Sequence, residues 1–418
     1  TLSIALNNEL LRNNLCSIKL NLASLYNFST IITQLIIGIS MKTFKCDCQN
    51  HQILFFESKF CISCNQVVGI DDDFNKVEPY SFDTNNGYYF KADKPTIYYK
   101  KCDNNTNYEI CNGMVKVDIN NSNSSDNNET LCFACRFNKT IPNLSIDEHI
   151  PLWKKMEEAK RRAIFTLKAL ALPLDNFNQN EQSGLSFDFV TDKNVKDHFL
   201  SKLDSKEAVF TGHDSGHITI NLAEADEVAR SHAKLTMGEN YRTLLGHFRH
   251  ELGHYYFEKL ILNSQENHEL CKNYFGDDDL DYQEAMSKYY QQGVPQNWSE
   301  NFISEYATMH PYEDWAETWA HYMHIIDTLE TAKNFNITGS LATQEADIGM
   351  QRIQNLFSFE TPINNILDKW MNFSIILNSL NRSMGMNDAY PFVLTQSVRT
   401  KLSFVHHAIH NKLDKMKI

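Results

Sequence analysis

Two histidines, His250 and His254, enclose Glu251-Leu252-Gly253, and these residue types at this spacing allow metal chemistry. Each residue of a helix turns through about 100°, so positions four apart point about 40° from one another. Both imidazoles then leave one face and can grip a single zinc ion. Glu251 projects beside them and can take a proton from a zinc-bound water, whose pKa the metal lowers to about 7. The predicted chemistry is hydrolysis by that water, activated by Glu251. A helix that merely carries two hydrogen-bonded histidines is the alternative.

A catalytic zinc takes three protein ligands and keeps a fourth position open. The third ligand sets the class. Metzincins need glycine at position 257 and histidine at 260, where this chain has Phe257 and Leu260. Crosslink proteases of the Spartan type need histidine where Lys259 stands. A gluzincin draws a glutamate from a later helix, and Glu313, Glu317 and His321 recur at intervals of four in Tyr312-Glu-Asp-Trp-Ala-Glu-Thr-Trp-Ala-His321. Glu313 is expected on the metal and Glu317 one turn on, orienting a ligating histidine through its other ring nitrogen; the reverse assignment stays open. An oxyanion in the transition state needs a further donor, for which Tyr306 is preferred over His310. The alternating run 216–222 is a candidate for the strand that lines the cleft and pairs with an extended substrate. His213, His232, His247 and His324 are expected to be structural.

Eight of the ten cysteines form close groups before residue 136. Cys46, Cys48, Cys61 and Cys64 make one set of four, and Cys102, Cys111, Cys132 and Cys135 a second. A cross-braced grouping would use the same residues. Four thiolates close a tetrahedral zinc completely, so these two zincs are expected to stabilise the fold and do no chemistry. Asn65 follows Cys64 where such turns favour glycine, and asparagine tolerates the left-handed backbone. Cys16 and Cys271 are left over and read as small buried hydrophobes.

The elements that position these residues follow from periodicity. Residues 41–142 combine short strand-like runs with turns and cysteines, which predicts a metal-stapled zinc-ribbon module with a loop at 118–130. Residues 143–418 are expected to form a mainly helical, zincin-like domain with a small sheet, giving an α+β fold. Its predicted helices span 152–172, 241–262, 301–309 and 313–332, with two or three more towards the C-terminus. The sheet is expected from runs 185–190 and 208–222, the second broken by a turn at 213–216. Residues 1–40 precede the first methionine, Met41, and are expected to be a non-native or disordered extension. Over 418 residues, 42% are hydrophobic and 22% charged, which supports a sizeable core. The net charge of −13 would repel phosphate backbones, so no nucleic-acid partner is expected. Nor is a membrane: no apolar run reaches the roughly 18 residues of a span. No secretory signal is evident either, so the expected location is cytoplasmic.

Met41-Lys-Thr-Phe-Lys-Cys-Asp-Cys48, Phe55-Phe-Glu57, Leu131-Cys-Phe-Ala-Cys135 with Thr140-Ile-Pro142, Ile218-Thr-Ile-Asn-Leu222-Ala-Glu-Ala-Asp226, Tyr241-Arg-Thr-Leu-Leu-Gly-His-Phe-Arg-His-Glu251 and Trp315-Ala-Glu-Thr-Trp-Ala-His321 resemble the bacterial zinc-binding metallopeptidase family with an N-terminal zinc-ribbon domain. The resemblance runs from Met41 to about Ala332. It implies a zinc ribbon followed by a gluzincin-like peptidase domain, with the family's metal motif carried onto His250, Glu251 and His254. The expected function is thus peptide-bond hydrolysis with one catalytic and two structural zincs. A peptide or protein would be the substrate, and the ribbon could recruit a protein partner. A non-catalytic binding protein whose motif zinc is structural, and a hydrolase of non-peptide amides, are the competing readings.

Overall fold

The computed structural model describes residues 44–119, 129–191, 212–227, 243–335, 337, 356 and 358–416. The expectations for residues 1–40, and for most of the loop at 118–130, lie outside them.

In the cysteine-rich part, β1 (Phe44–Lys45) pairs with β2 (Ile53–Leu54). An antiparallel meander follows, built from β3 (Val67–Gly69), β4 (Glu78–Asp83), β5 (Tyr88–Lys91), β6 (Lys94–Lys101) and β7 (Met114–Val117). Its apolar content is thin: Tyr80, Tyr99 and Met114 make one small buried cluster. The sulfurs of Cys102, Cys111, Cys132 and Cys135 lie at the heart of another.

A second sheet has the order β10-β11-β9-β8, from β8 (Asn138–Thr140), β9 (Ser186–Val190), β10 (Gly212–Asp214) and β11 (His217–Asn221). Strands β8 and β11 run parallel to β9, and β10 antiparallel to β11. Ser215 and Gly216 both have positive φ, 50° and 91°, as a two-residue hairpin turn requires. The pairing corrects one expectation. Residues 217–221 form an interior strand with both edges taken, so they cannot pair with a substrate; among the described residues the edge strand beside them is β10.

Helix α1 (Asp103–Tyr108) lies within the ribbon part. Helix α2 (His149–Ala169) joins the two parts. Its Phe165 packs edge-on against Phe56, with 5.0 Å between ring centroids. Arg161 bonds Asn112, and Arg162 reaches Glu57 at 2.6 Å. From the same helix Thr166 donates to Asp327 at 2.7 Å. Asp327 also receives Arg249, so the ribbon, α2 and the helices of the site are bonded in series.

Two helices carry the candidate site. Helix α3 (Leu244–Leu260) starts at Thr243, whose hydroxyl accepts the Gly246 amide at 2.9 Å. Beyond it lie α4 (Gln265–Phe275) and α5 (Tyr282–Gln292). Helix α6 (Pro311–Asn334) has proline in its first turn and His310 as cap, with Nδ1 accepting the Tyr312 amide at 3.1 Å. Helices α3 and α6 touch backbone to backbone at Gly253. A Cβ there would lie 2.9 Å from the Ala316 Cα and 3.2 Å from its carbonyl oxygen. Trp315 and Trp319 are fully buried at this crossing, and the Trp315 indole donates to the Gly253 carbonyl at 2.8 Å. Helices α7 (Ile363–Ser383) and α8 (Gln396–Ile409) close the domain.

The helix expected at 301–309 is absent. That stretch is irregular, with 3₁₀ turns at Trp298–Glu300 and Tyr306–Thr308. Ser304 accepts the Ala307 amide at 3.2 Å and donates to Glu317 at 2.6 Å, local bonding that competes with a helix.

Candidate metal centre

The i, i+4 spacing on α3 brings the Nε2 atoms of His250 and His254 to 3.1 Å. From the first turn of α6, Glu313 Oε2 lies 2.9 Å from His250 Nε2 and 3.4 Å from His254 Nε2. Ligands about 2.0–2.1 Å from a tetrahedral zinc stand roughly 3.3 Å apart, so the three atoms form one face of such a site. Glu313 Oε2 makes no hydrogen bond of acceptable geometry despite being buried. Its lone pairs suit a cation common to all three. The donor set of two imidazoles and one carboxylate fits zinc.

Each candidate ligand is held from behind. His250 donates from Nδ1 to Glu317 Oε1 at 2.7 Å, and Ser304 holds the other oxygen of Glu317. Tyr282 donates to Glu313 Oε1 at 2.8 Å, which directs Oε2 to the histidines. Tyr312 lies over His254, ring centroids 4.1 Å apart. Burial alone would raise the Glu313 pKa; the neighbouring His254 and His250 outweigh it and hold the carboxyl well below the usual range. Burial likewise opposes ionisation of Glu317, yet the bond and charge of His250 push its pKa down to about 2.

Glu251 is buried next to the histidines. Its Oε1 lies 3.1 Å from His247 Nε2, and its Oε2 has no hydrogen-bond partner among the described residues. Tyr306 lies with its ring centroid 5.9 Å from that of His250. His310, the other sequence candidate for that role, is spent on capping α6 and on the Leu280 carbonyl at 3.0 Å. His321 is bonded to Tyr390 at 2.8 Å, two turns along α6 from Glu313. Sequence reasoning missed Tyr282, Ser304 and Glu224, and set His247 aside as structural. Only His247 carried a signal, standing one turn before Glu251 on the same face.

The cysteines fall into the two sequential sets, Cys46, Cys48, Cys61 and Cys64, and Cys102, Cys111, Cys132 and Cys135, with the sulfurs of each set within 4.8 Å of one another. Cys46 and Cys64 sulfurs are 3.7 Å apart, and those of Cys48 and Cys61 3.9 Å. Tetrahedral sulfurs about 2.3 Å from zinc stand roughly 3.8 Å apart, far beyond a disulfide bond of about 2.05 Å. Asn65 takes the left-handed backbone, φ 58°. The second set is fully buried, whereas Cys64 is exposed. In a further cluster of His268, Asp278 and Asp279, Asp279 is paired with Lys272 and Asp278 with His268 at 2.8 Å.

Residues 149–408 match the family described as "Putative zinc-binding metallo-peptidase", and residues 43–146 match a zinc-ribbon domain. The chain belongs to this zinc-binding metallopeptidase family. Uncharacterized proteins from Mycobacterium bovis and Mycobacterium tuberculosis are each 35% identical to it over 364 residues, 86% of this chain and 92% of theirs. No solved structure matches the chain. No helix among the described residues is long and apolar enough to cross a membrane.

Proposed function

We propose that the chain is a zinc-dependent peptidase of the gluzincin type, with His250, His254 and Glu313 as ligands and Glu251 as general base. The observation that carries this reading is the meeting of three ligand atoms, 2.9–3.4 Å apart, beside a buried glutamate with one free oxygen. A purely structural zinc needs no such base. When bound, zinc supplies a Lewis acid that polarises a carbonyl and lowers the pKa of water. Glu251 Oε2 then takes the proton of the attacking water and returns it to the leaving amine. Glu317 holds the His250 tautomer with Nε2 free for the metal. Tyr306 donates its hydroxyl to the developing oxyanion. The free edge of β10 offers backbone groups to an extended peptide.

The eight cysteines hold two structural zincs, which brings the total to three. Unbridged thiols at tetrahedral spacing suit a reducing, cytoplasmic setting. The acidic chain avoids nucleic acid, and its ribbon is free to recruit a protein partner.

Zinc content and peptide cleavage test the proposal together. Elemental mass spectrometry should find three zincs in the wild type and two in the His250→Ala, His254→Ala double variant. A peptide library should be cleaved by the wild type, and Glu251→Gln should lower kcat by about 10²–10⁴-fold. Two zincs in both proteins would favour the binding-protein reading. Hydrolysis of small amides alone would rule out peptidase action.

A further inference from the structure

We propose that Glu224 and His247 form a positioning pair that clamps the general base, an inference that rests on the peptidase reading of the site. His247 stands one helical turn before Glu251 on α3, so the two side chains share a face. Its Nε2 lies 3.1 Å from Glu251 Oε1, and its Nδ1 contacts Glu224 Oε2. All three side chains are largely shielded, with exposures of 15% for Glu224, 12% for His247 and 6% for Glu251.

Carboxylate oxygens only accept, so each imidazole nitrogen facing one donates. His247 therefore bridges the two glutamates, one at each ring nitrogen. Glu224 is itself fixed. It belongs to the 3₁₀ turn Leu222–Ala225, directly after β11, where Asn221 accepts the Ala223 amide at 3.0 Å and Leu222 and Ala225 are buried. The clamp thus runs from the end of the central sheet, through His247, to the base on α3.

A glutamate has several rotatable bonds whose ordering costs conformational entropy, and a base must sit within about 2.6–3.2 Å of its proton. Pinning Oε1 selects one rotamer and leaves Oε2 as the one oxygen of Glu251 without a protein partner. Oε1 is held and Oε2 reacts. His247 also packs edge-on against His250, with 6.5 Å between ring centroids, so zinc content must be read beside kcat to separate an effect on the base from one on the metal.

The test compares wild type with His247→Ala, His247→Gln and Glu224→Gln. Glutamine at 247 restores a donor towards Glu251, and glutamine at 224 keeps an acceptor for the imidazole while removing its charge. The expected result is that His247→Ala keeps full zinc content and an unchanged KM while kcat falls about 10–100-fold. His247→Gln should recover most of that loss, and Glu224→Gln should lie between. Crystal structures of the zinc-loaded wild type and His247→Ala give a readout independent of turnover. Glu251 should hold one position bonded to His247 in the first and leave it in the second. If the wild type cleaves no peptide, the peptidase reading fails, and the two crystal structures still decide the clamp. An unmoved Glu251 with unchanged kcat would overturn it, and so would loss of zinc from His247→Ala, which would make His247 a support for the metal.

Discussion

Glu313 and Glu317 are the same residue type on the same face of one helix, and four residues separate their roles. Glu313 stands in the first turn of α6, where its Oε2 meets both histidines. Glu317 is one turn on and reaches only the far nitrogen of His250. Spacing alone could not choose between them; the distances favour Glu313 as the third ligand. Glu313→Gln should abolish tight binding of the third zinc, whereas Glu317→Gln should weaken it about 10–100-fold through the loosened imidazole. Competition with a chromophoric chelator would rank the two. A larger loss in Glu317→Gln would exchange the assignments.

At the scale of elements, the site depends on how closely α3 and α6 approach. Alanine normally improves a helix over glycine by about 1 kcal/mol, so Gly253→Ala would stabilise an isolated α3. Here its Cβ would meet the Ala316 backbone at 2.9 and 3.2 Å, where no flexible side chain can yield. The helices must part, moving Glu313 from the histidines. The expected outcome is a net destabilisation of roughly 1–3 kcal/mol with weaker zinc binding, read by thermal melting and chelator competition. A rise in Tm would show that the crossing has slack.

The docking of α8 on α6 carries a pH dependence. His406 is buried, with Nδ1 2.8 Å from the Tyr322 hydroxyl. Burial, then the charges of His410 and His407, push its pKa from 6.5 down to about 3. The folded state holds His406 neutral, whereas the unfolded chain protonates it below about pH 6.5. Its contribution is therefore fully present above 6.5 and is lost as pH falls towards 3, amounting to roughly 2 kcal/mol at about pH 5. Thermal melts near neutral pH and near pH 5 should show a smaller acid-induced drop in His406→Gln than in the wild type. Equal drops would assign the acid sensitivity elsewhere.

Over the whole molecule, the ribbon part is bonded to the rest through α2. Asn112, next to the ligand Cys111, donates to the Phe56 and Ser58 carbonyls at 2.9 and 2.8 Å and receives Arg161. Lys168 reaches the Asp72 carbonyl at 2.9 Å. The buried second cysteine set sits at this junction, and the half-exposed first set lies farther out. A structural zinc can supply about 10–16 kcal/mol of folding free energy, more than most domains have in net stability. Cys132→Ser should therefore lower the Tm of the entire cooperative transition, whereas Cys64→Ser should cost one zinc with a smaller shift. Calorimetry with zinc analysis checks this, and equal shifts would mean that both sites hold the junction.

The sequence by itself determined what short range controls. A four-residue interval puts His250 and His254 on one helical face, pairs of cysteines two or three apart make half of a tetrahedral site, and proline with acidic residues marks the start of α6. Asn65 could be read as a left-handed turn residue because only asparagine and glycine adopt that backbone cheaply. Tertiary structure decided whatever joins distant segments: that β8 enters the sheet of the following domain, that among the described residues β10 and not β11 is the edge strand, and that 301–309 gives up helix to let Ser304 hold Glu317. It also brought Glu224 to His247, 23 residues away in the chain. Periodicity records which face of an element is buried. It does not record which partner buries it, because that contact forms only when the chain closes on itself.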